Sequence, residues 1–361
     1  MVVVAAGAAH LLPLAWRVET RYRKLYMRVC DRAAHGRERQ DHTMAATTRV
    51  ATQLRDDLWL LDTLYLGEPG VIASYLLTGR RGLALVDVGS GASVDHVLAG
   101  IRMAGYQPED VEHLLLTHVH LDHAGATGTL LHHMPHARVY VHRVGAPHLI
   151  DPSRLLSSAQ RIYGDQMERL WGQTEPVPED RITILDDGDV APAGDRTLRA
   201  LYTPGHAIHH VAFYDEASRS AFTGDVAGVR LQGSSFVRPP TPPPDLSLED
   251  WSASIARLDA LNLETIYLPH FGPASGVRQH LTQLQYNLTA WGELMLRGIR
   301  VGKDDGALAR DLAATSDPAL LASAEHADDD LLNRYELATN YLMSAQGYMR
   351  YYRKRHPELL A

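Results

Sequence analysis

The sequence predicts an α/β fold followed by a helical C-terminal region. Short apolar stretches bounded by glycine-containing turns, at residues 58–66, 71–77 and 83–86, are typical of strands. Apolar residues at three-to-four spacing over residues 277–297 and 331–353 predict long helices. A chain of 361 residues, 45% hydrophobic and 22% charged, is long enough for one large domain with additions.

Residues 1–44 are predicted to form an ill-ordered N-terminal extension. Residues 1–16 are apolar but have no basic leader, so they are a poor match to a signal peptide. Residues 17–39 are rich in arginine, and a helix on an acidic membrane or partner is the alternative for them. The sequence leaves open whether Met1 or Met44 is the true start.

Residues 45–275 are predicted to form an α/β domain, and residues 276–361 a helical region. Five prolines within residues 239–244, interrupted only by Thr241, predict a stiff, non-helical connection because proline lacks the amide donor. This connection is a spacer or the rim of a pocket, and Ser247 should cap the helix after it. Strands are predicted over residues 48–51, 58–66, 71–77, 83–86, 111–116, 138–141, 182–185, 198–202, 211–214 and 221–222, and helices over 94–103 and 152–171.

The segment THVHLDHAG, residues 117–125, holds four metal-binding side chains next to an apolar strand. His118 and His120 are two apart on extended backbone and should face one point. The small residues that follow permit a turn into a helix, whose first turn should bring Asp122 and His123 to a second point nearby. Imidazoles and carboxylates are costly to bury without a partner, so this density predicts a metal site.

Three more candidate ligands lie downstream, because six residues cannot complete two coordination shells. His206 follows a Pro-Gly turn, Asp225 ends a short apolar stretch, and His270 ends another. Each sits where a strand gives way to a loop, which is where functional sites are usually built. Either histidine alone is more typical of an ordinary loop residue, and their combination with the first cluster indicates ligands.

The order of these motifs resembles the metallo-β-lactamase-fold superfamily of hydrolases over residues 58–273. The resemblance implies an αββα sandwich with metal ions at one edge, closest in style to the lactonases and glyoxalase II-like dinuclear hydrolases. It rests on VDVG at residues 86–89, H-x-H-x-D-H at 118–123, GH at 205–206, GD at 224–225 and PH at 269–270.

Two divalent ions are what the resemblance implies at this edge. The implied ligands are His118, His120 and His206 for one ion, and Asp122, His123 and His270 for the other, with Asp225 bridging both.

Three further residues have roles implied by the same resemblance. Asp87 matches an early aspartate that orients a ligand histidine by hydrogen bonding, although a turn residue at a strand end is the alternative. His210 matches a histidine that supports the site from behind the ligands. Tyr163 is a candidate substrate contact because related lactonases use a tyrosine near the metals, and packing is its alternative role.

The chemistry expected of such a centre is hydrolysis by metal-bound hydroxide, with Asp122 orienting the hydroxide and moving its proton. Nitrogen and oxygen ligands without thiolate suit Zn²⁺, with iron, manganese and cobalt as alternatives. A small ester, lactone, thioester or phosphotriester is the expected substrate. Antibiotic hydrolysis is disfavoured, because the best-known zinc β-lactamases use a cysteine ligand or lack the bridging aspartate, whereas Cys30 lies far upstream here.

Two other function classes stay open at this point. An iron-dependent oxidoreductase of the same fold, similar to the sulfur dioxygenases, would use the same ligands with a redox metal. A non-catalytic metal-dependent binding protein would hold the metal without turnover. Metal analysis, oxygen consumption and an ester panel separate these classes from a hydrolase.

Charge and composition limit the partners. Lysine and arginine number 35 against 43 aspartates and glutamates, a net charge of −8, which disfavours nucleic acid. No apolar run reaches the length of a membrane span, and one cysteine suits a reducing cytoplasm. The large side chains of the C-terminal helices should pack on the core, pair two subunits as a homodimer, or cover the metals as an apolar substrate wall.

Overall fold

The computed structural model describes residues 50–326 and 329–360. In these residues, two β-sheets pack face to face and helices cover their outer faces, which confirms the predicted αββα sandwich and its helical C-terminal region. The predicted extension at residues 1–44 lies outside the described residues. The boundary expected near residue 275 stays a prediction. Within the part of the chain described, no helix is both long enough and apolar enough to cross a membrane.

Among the described residues, the first sheet contains seven strands in chain order. It is antiparallel from β1 to β4 and parallel from β4 to β7. Its strands are β1 (Ala51–Arg55), β2 (Leu58–Asp62), β3 (Ala73–Leu77), β4 (Leu83–Val86), β5 (Val111–Leu115), β6 (Arg138–His142) and β7 (Ile182–Leu185).

The second sheet contains six strands in the order β13-β12-β11-β10-β9-β8. Only β11 and β12 pair in parallel, and the other neighbours are antiparallel. Its strands are β8 (Val190–Ala193), β9 (Arg196–Tyr202), β10 (Val211–Asp215), β11 (Ser220–Phe222), β12 (Thr265–Leu268) and β13 (Gly272–Ala274).

Strand β4 shows why these strands read as continuous apolar runs. Ala84 and Val86 face the core between the two sheets, whereas Leu83 and Leu85 face the core under the outer helices. Successive side chains on a strand point to opposite faces, so a strand covered on both faces needs apolar residues at every position.

The predicted strand over residues 58–66 is shorter than expected and ends at Asp62. The carboxylate of Asp62 accepts hydrogen bonds from the backbone N–H groups of Leu64, at 3.0 Å, and Gly70, at 2.8 Å. These bonds close a loop in which Leu66 has φ +55°, a value that a strand does not permit. The loop was not predicted because the apolar residues continue through it without a break.

Six helices accompany the first sheet within the part of the chain that the structure describes. The helical prediction for residues 152–171 is confirmed as two helices, separated by a short turn at Gly164–Gln166. The six are α1 (Val94–Met103), α2 (Leu121–Ala124), α3 (Thr127–Leu131), α4 (Ala146–Ile150), α5 (Ser153–Tyr163) and α6 (Met167–Trp171).

Helix α7 (Leu248–Ala260) follows the proline-rich connection and packs on the outer face of the second sheet. Ser247 caps it as predicted, because its hydroxyl accepts a hydrogen bond from the Asp250 backbone N–H at 3.4 Å.

In the C-terminal region, residues 276–326 and 329–360 contain four α-helices, α8 (Val277–Arg300), α9 (Asp305–Ala322), α10 (Asp329–Ala338) and α11 (Tyr341–Arg355). The helix predicted over residues 331–353 is therefore two helices. Asn340 separates the two helices, because its side chain accepts a hydrogen bond from the Met343 backbone N–H at 2.8 Å and caps the start of α11. Helix α9 was not predicted.

His280 on α8 is a histidine buried in the protein interior. It is 3% exposed, and its Nε2 donates to the Ala227 carbonyl at 2.7 Å. Its Nδ1 has no hydrogen-bond partner among the residues the structure describes. Burial lowers the pKa of His280 to about 4.

We expect His280 to make the free energy of unfolding fall as the pH drops from about 6.5, the ordinary pKa of histidine, to about 4. In that pH range His280 binds a proton in the unfolded chain but not in the folded chain. Lowering the pH across the range therefore reduces the free energy of unfolding by about 3 kcal/mol. Urea unfolding of the wild type and His280→Gln across this range, with a chelator present, measures the effect.

The difference between the wild-type and His280→Gln stabilities should change with pH by this amount. The exposed His133→Gln serves as the control for the loss of a histidine at the surface and should cost little stability. Parallel stability curves for the wild type and His280→Gln would contradict the expectation.

Candidate metal centre

The loop between β5 and α2 carries the first two candidate ligands. β5 ends at Leu115 and α2 begins at Leu121, with extended backbone at His120. The predicted alternation brings His118 and His120 to the same place, and their ring centroids lie 4.6 Å apart. His118 is fully buried, whereas His120 is half-buried, so this pair lies at the edge of the interior.

Helix α2 is one turn long and turns the next two side chains toward the same region. His123 is fully buried, whereas the Asp122 side chain is 18% exposed. The Asp122 Oδ2 atom lies 3.4 Å from His123 Nε2 and 3.4 Å from His270 Nε2. The strand-to-helix corner expected from the sequence therefore brings Asp122 and His123 together.

The other three candidate ligands come from the second sheet. His206 follows β9, Asp225 lies in the turn Gly224–Ala227 after β11, and His270 follows β12. Asp225 Oδ1 lies 3.4 Å from His123 Nε2, so the loops of both sheets meet at one edge of the sandwich.

Two glycines make this meeting sterically possible. Gly205 has φ +132°, and a Cβ there would lie 2.3 Å from Trp251 Cα. Gly224 has φ +50°, and a Cβ there would lie 2.4 Å from His210 Nε2. Any larger residue would displace the backbone that carries His206 or Asp225, which gives the GH and GD motifs a physical reason.

All seven candidate ligands fall into groups of three whose donor atoms lie within 4.8 Å of one another. Overlap between these groups indicates one continuous cluster and not three separate sites. The groups are His118 with His120 and His206, His118 with His123 and Asp225, and Asp122 with His123 and His270.

The donor atoms at the centre fit a cation. His118 Nε2, His123 Nε2, His270 Nε2 and Asp225 Oδ1 are buried and have no hydrogen-bond partner among the described residues. Buried polar atoms are normally hydrogen-bonded, so four unpaired atoms that face one another require another explanation. Imidazole nitrogens and carboxylate oxygens are ligands that divalent metals prefer.

The opposite nitrogen of each buried ligand histidine is held by the protein. His206 Nδ1 donates to the Pro240 carbonyl at 2.8 Å, and His270 Nδ1 donates to the Val71 carbonyl at 3.0 Å. With the proton on Nδ1, the Nε2 lone pair of each ring faces the centre, where His206 Nε2 lies 2.9 Å from His120 Nδ1. The proline-rich connection is therefore more than a spacer, because its Pro240 carbonyl touches the site.

Asp87 joins two ligand histidines from behind. Its carboxylate lies 2.9 Å from His123 Nδ1 and also accepts from the Thr117 backbone N–H at 2.8 Å. Thr117 Oγ1 lies 2.9 Å from Asp87 Oδ2 and 3.0 Å from His118 Nδ1, so it can accept from His118 and donate to Asp87. One carboxylate thus orients His123 directly and His118 through a hydroxyl.

His210 contacts the backbone of the Asp225 turn. Its Nδ1 lies 2.9 Å from Thr203 Oγ1, and its Nε2 accepts from the Asp225 N–H at 3.1 Å. It is fully buried and is absent from the groups of converging donor atoms. Its contacts support the position of Asp225.

The electrostatic environment differs between the two sides of the cluster. Burial and neighbouring imidazoles hold the pKa values of His118 and His206 well below the usual range, so both rings are neutral. Burial alone would also lower the pKa of His123, but Asp122 and Asp225 raise it well above its ordinary value. The carboxylates that favour a proton on His123 equally favour a cation beside it.

His209 is a residue that sequence reasoning missed. It is 5% exposed, and its ring stacks on His118 at a centroid distance of 6.1 Å and an interplanar angle of 13°. Its Nδ1 accepts from the Val119 N–H at 3.4 Å. The only sequence signal was its position beside His210, which does not distinguish a buried histidine from an exposed one.

An aromatic wall of Tyr65, Tyr163 and Trp171 was only partly expected. Tyr65 and Trp171 stack at 5.7 Å, and Tyr163 meets Trp171 edge-on at 5.2 Å. The Tyr163 hydroxyl donates to Met343 Sδ on α11 at 3.0 Å. Burial and the Asp122 carboxylate raise the pKa of Tyr163, so Tyr163 lies within electrostatic range of one candidate ligand.

The sequence profile of the metallo-beta-lactamase superfamily matches residues 67–270. This match spans more than half of the chain and includes every candidate ligand. The chain belongs to this superfamily. The resemblance inferred from the order of the motifs is thereby confirmed.

Relatives within the superfamily match in sequence and in fold. The metallo-beta-lactamase fold-containing protein ST1585 of Sulfurisphaera tokodaii is 26% identical over 256 residues, 65% of this chain and 93% of that protein. The crystal structure of the metallo-beta-lactamase family protein TTHA1429 from Thermus thermophilus has a TM-score of 0.62 and 25% identity, and the match covers 84% of this chain and 95% of that one.

A third relative carries the name of an activity. The atrochrysone carboxyl ACP thioesterase of Aspergillus chevalieri is 34% identical over 154 residues, which are 42% of this chain and 39% of the thioesterase. Membership of the superfamily and a relative of this kind support a hydrolase, and the clustered histidines and aspartates support divalent metal binding.

Asp87→Asn should weaken metal binding by about 10- to 100-fold, because the substitution removes the negative charge that orients His123. Asparagine tolerates the φ of +52° at this position, so the backbone should be retained. Competition with a chromophoric chelator measures the affinity.

Asp215→Asn is the matched control, because Asp215 is also a buried aspartate but contacts Arg196, away from the centre. It should lower stability without changing metal affinity. Equal metal affinities in Asp87→Asn and the wild type would show that the Asp87 contact is structural only.

Proposed function

We propose that this chain is a dinuclear metal-dependent hydrolase that cleaves a small ester-type substrate, with thioesters as the leading class. The observation that carries the proposal is the set of unpaired ligand atoms on His118, His123, His270 and Asp225, which face one another at one edge of the sandwich. Solvent-shielded imidazoles and two carboxylates form a donor set that suits two Zn²⁺ ions.

The two proposed ion sites follow from which donor atoms are neighbours. His118, His120 and His206 form the first set of ligands. Asp225 is the proposed bridge, because its Oδ2 lies 3.5 Å from His206 Nε2 and its Oδ1 lies 3.4 Å from His123 Nε2. Its two oxygens therefore face opposite sets.

The second proposed set is Asp122, His123 and His270. His270 Nε2 lies 3.4 Å from Asp122 Oδ2 and 3.5 Å from Asp225 Oδ1. No cysteine lies among the described residues of the centre, so the ligands are nitrogen and oxygen only, as expected for zinc without thiolate.

Two divalent cations bound by these residues would supply a water of lowered pKa and would polarise the carbonyl oxygen of a bound substrate. The chain supplies the positioning and the route of the proton. Asp122 is 18% exposed while the Asp225 side chain is 6% exposed, so Asp122 is the carboxylate that an incoming water can reach. We assign to its Oδ atoms the orientation of the attacking water and the acceptance of its proton.

The balance of the proposed reaction is that of a simple hydrolysis. The water oxygen forms a bond to the acyl carbon and the bond from that carbon to sulfur or oxygen breaks. The proton held by Asp122 then leaves with the thiol or alcohol. No oxidant or further reactant is needed.

Thioesters lead among the substrate classes for two reasons. One relative is named a thioesterase, although the match spans only 39% of it. The aromatic wall is apolar, which suits an uncharged acyl group, and the net charge of −8 disfavours a polyanionic substrate. Activity on thioesters, aryl esters, lactones and phosphotriesters, measured with zinc and after chelation, tests this ranking.

His120→Ala should remove turnover and reduce the bound zinc below the wild-type stoichiometry. Losing a ligand should cost more than the about 10- to 100-fold in metal affinity that is typical of losing a group behind a ligand. Elemental analysis and initial rates on the panel measure both effects.

The exposed His136→Ala is the control and should behave as the wild type. Full hydrolytic activity in zinc-free His120→Ala would refute the proposal.

Tyr163→Phe should raise KM by about 2- to 10-fold, the effect of losing one neutral hydrogen bond, with little change in kcat. The ring should keep its contact with Trp171, because that contact does not involve the hydroxyl. Tyr286→Phe is the control, since Tyr286 is 71% exposed on α8. If KM is unchanged for every substrate in the panel, the Tyr163 hydroxyl does not contact substrate.

A further inference from the structure

Arg238 is an almost completely buried cation on the connection between β11 and α7, and it is 1% exposed. Its Nη1 donates to Glu336 Oε1 at 2.8 Å and to the Thr339 carbonyl at 3.0 Å. Its Nη2 donates to the Tyr341 hydroxyl at 2.7 Å and lies 3.8 Å from Asp317 Oδ1. One guanidinium therefore contacts α9, α10, α11 and the loop between the last two.

Aromatic rings complete the surroundings of this cation. The guanidinium carbon lies 4.0 Å from the centroid of Tyr341 and 5.1 Å from that of Tyr335. A buried charge is tolerated only when its partners are placed accurately, so the position of Arg238 is tightly specified by the C-terminal helices.

The backbone around Arg238 is held from two further directions. Arg238 exchanges both backbone hydrogen bonds with Val229, at 2.9 and 2.8 Å. Its neighbour Val237 is bonded to α8, where Gln283 Oε1 accepts from the Val237 N–H at 2.8 Å and Asn287 Nδ2 donates to the Val237 carbonyl at 2.7 Å. All four C-terminal helices thus contact residues 237–238 by hydrogen bonds or ion pairs.

Two residues further along, the same connection reaches the metal centre. The Pro240 carbonyl accepts from His206 Nδ1 at 2.8 Å, so its position decides where His206 Nε2 points. Helix α11 also touches this place directly, because a Cβ on Gly347 would lie 1.9 Å from the Thr241 carbonyl oxygen.

We propose that Arg238 is a positioning residue for the metal centre. Through it, the C-terminal helices fix the Pro240 carbonyl, and this carbonyl fixes the tautomer and direction of His206. This inference rests on the proposed function, because His206 is one of the proposed zinc ligands. Through Arg238, the C-terminal region therefore acts on the ion site that contains His206.

The test is zinc titration of the full chain after removal of metal, in a matched pair of tyrosine variants. Tyr341→Phe removes the hydroxyl that contacts Arg238 and should lower the affinity for one of the two zinc ions by about 10- to 100-fold. The other ion should keep its wild-type affinity. Tyr348 is on the same helix as Tyr341, and its hydroxyl donates to the Leu288 carbonyl on α8 at 3.0 Å. Tyr348→Phe should leave both zinc affinities unchanged.

A second pair moves the same connection without removing a hydrogen-bonding side chain. Gly347→Ala would place a Cβ against the Thr241 carbonyl oxygen, so the backbone must shift at a cost in stability, and binding of the same zinc ion as in Tyr341→Phe should weaken. Gly306→Ala on α9 is the control, because the nearest atom to its Cβ would be 3.5 Å away. Proton NMR of the zinc-free chain adds a measurement that does not depend on global stability. The His206 Nδ1–H resonance can be assigned by its absence in His206→Gln, and its chemical shift should change in Tyr341→Phe.

The outcomes are separable. Two zinc ions in the wild type with unchanged affinities in Tyr341→Phe and Gly347→Ala would overturn this inference and leave the proposed function intact. Equal loss of both ions in Tyr341→Phe and Tyr348→Phe would also overturn it, because the role of Arg238 would then be structural alone. A wild type that binds no zinc would overturn the proposed function together with the inference.

Discussion

Compensation of charge among buried imidazoles and carboxylates is the constraint on which the rest of this structure depends. His118 and His206 are kept neutral by burial and by neighbouring rings, while Asp122 and Asp225 favour a positive charge at His123. Neither the neutral rings nor the carboxylates provide a hydrogen-bond partner for the unpaired donor atoms of the centre. A shared cation satisfies both, because it accepts lone pairs from neutral rings and offsets the carboxylates.

The surrounding protein is organised to aim those donor atoms. The opposite nitrogens of His123, His206 and His270 bond a carboxylate, a carbonyl of the proline-rich connection and a carbonyl before β3. Glycines 205 and 224 allow the ligand-bearing turns to approach Trp251 and His210 closely. These supports come from separate parts of the chain, so packing of the whole sandwich, and not any local motif, sets the geometry of the centre.

Local patterns in the sequence predicted the parts of the fold that depend on neighbours in the chain. Strand β4, helix α1 and the corner at His118 to His123 follow from periodicity and turn residues, and the Ser247 cap follows from one side chain. Helix α9 was missed although its buried residues Leu308, Leu312 and Leu320 have helical spacing, and it contains Pro318, a residue type that usually ends a helix. His209 and Trp171 were missed as neighbours of the site because each contacts residues distant in sequence. The break at Asn340 was hidden by apolar residues that continue on both sides of it.

Neither half of the sandwich carries a whole centre. The first sheet contributes four of the clustered side chains and the second contributes three. Bonds between the halves run directly behind the centre, from His270 Nδ1 to the Val71 carbonyl and from the Tyr75 hydroxyl to the Leu268 carbonyl at 2.6 Å. Ions bound at the centre would therefore link the two halves of the sandwich to each other. Moving one half relative to the other would separate the ligands, so metal binding should also stabilise the interface between the two sheets.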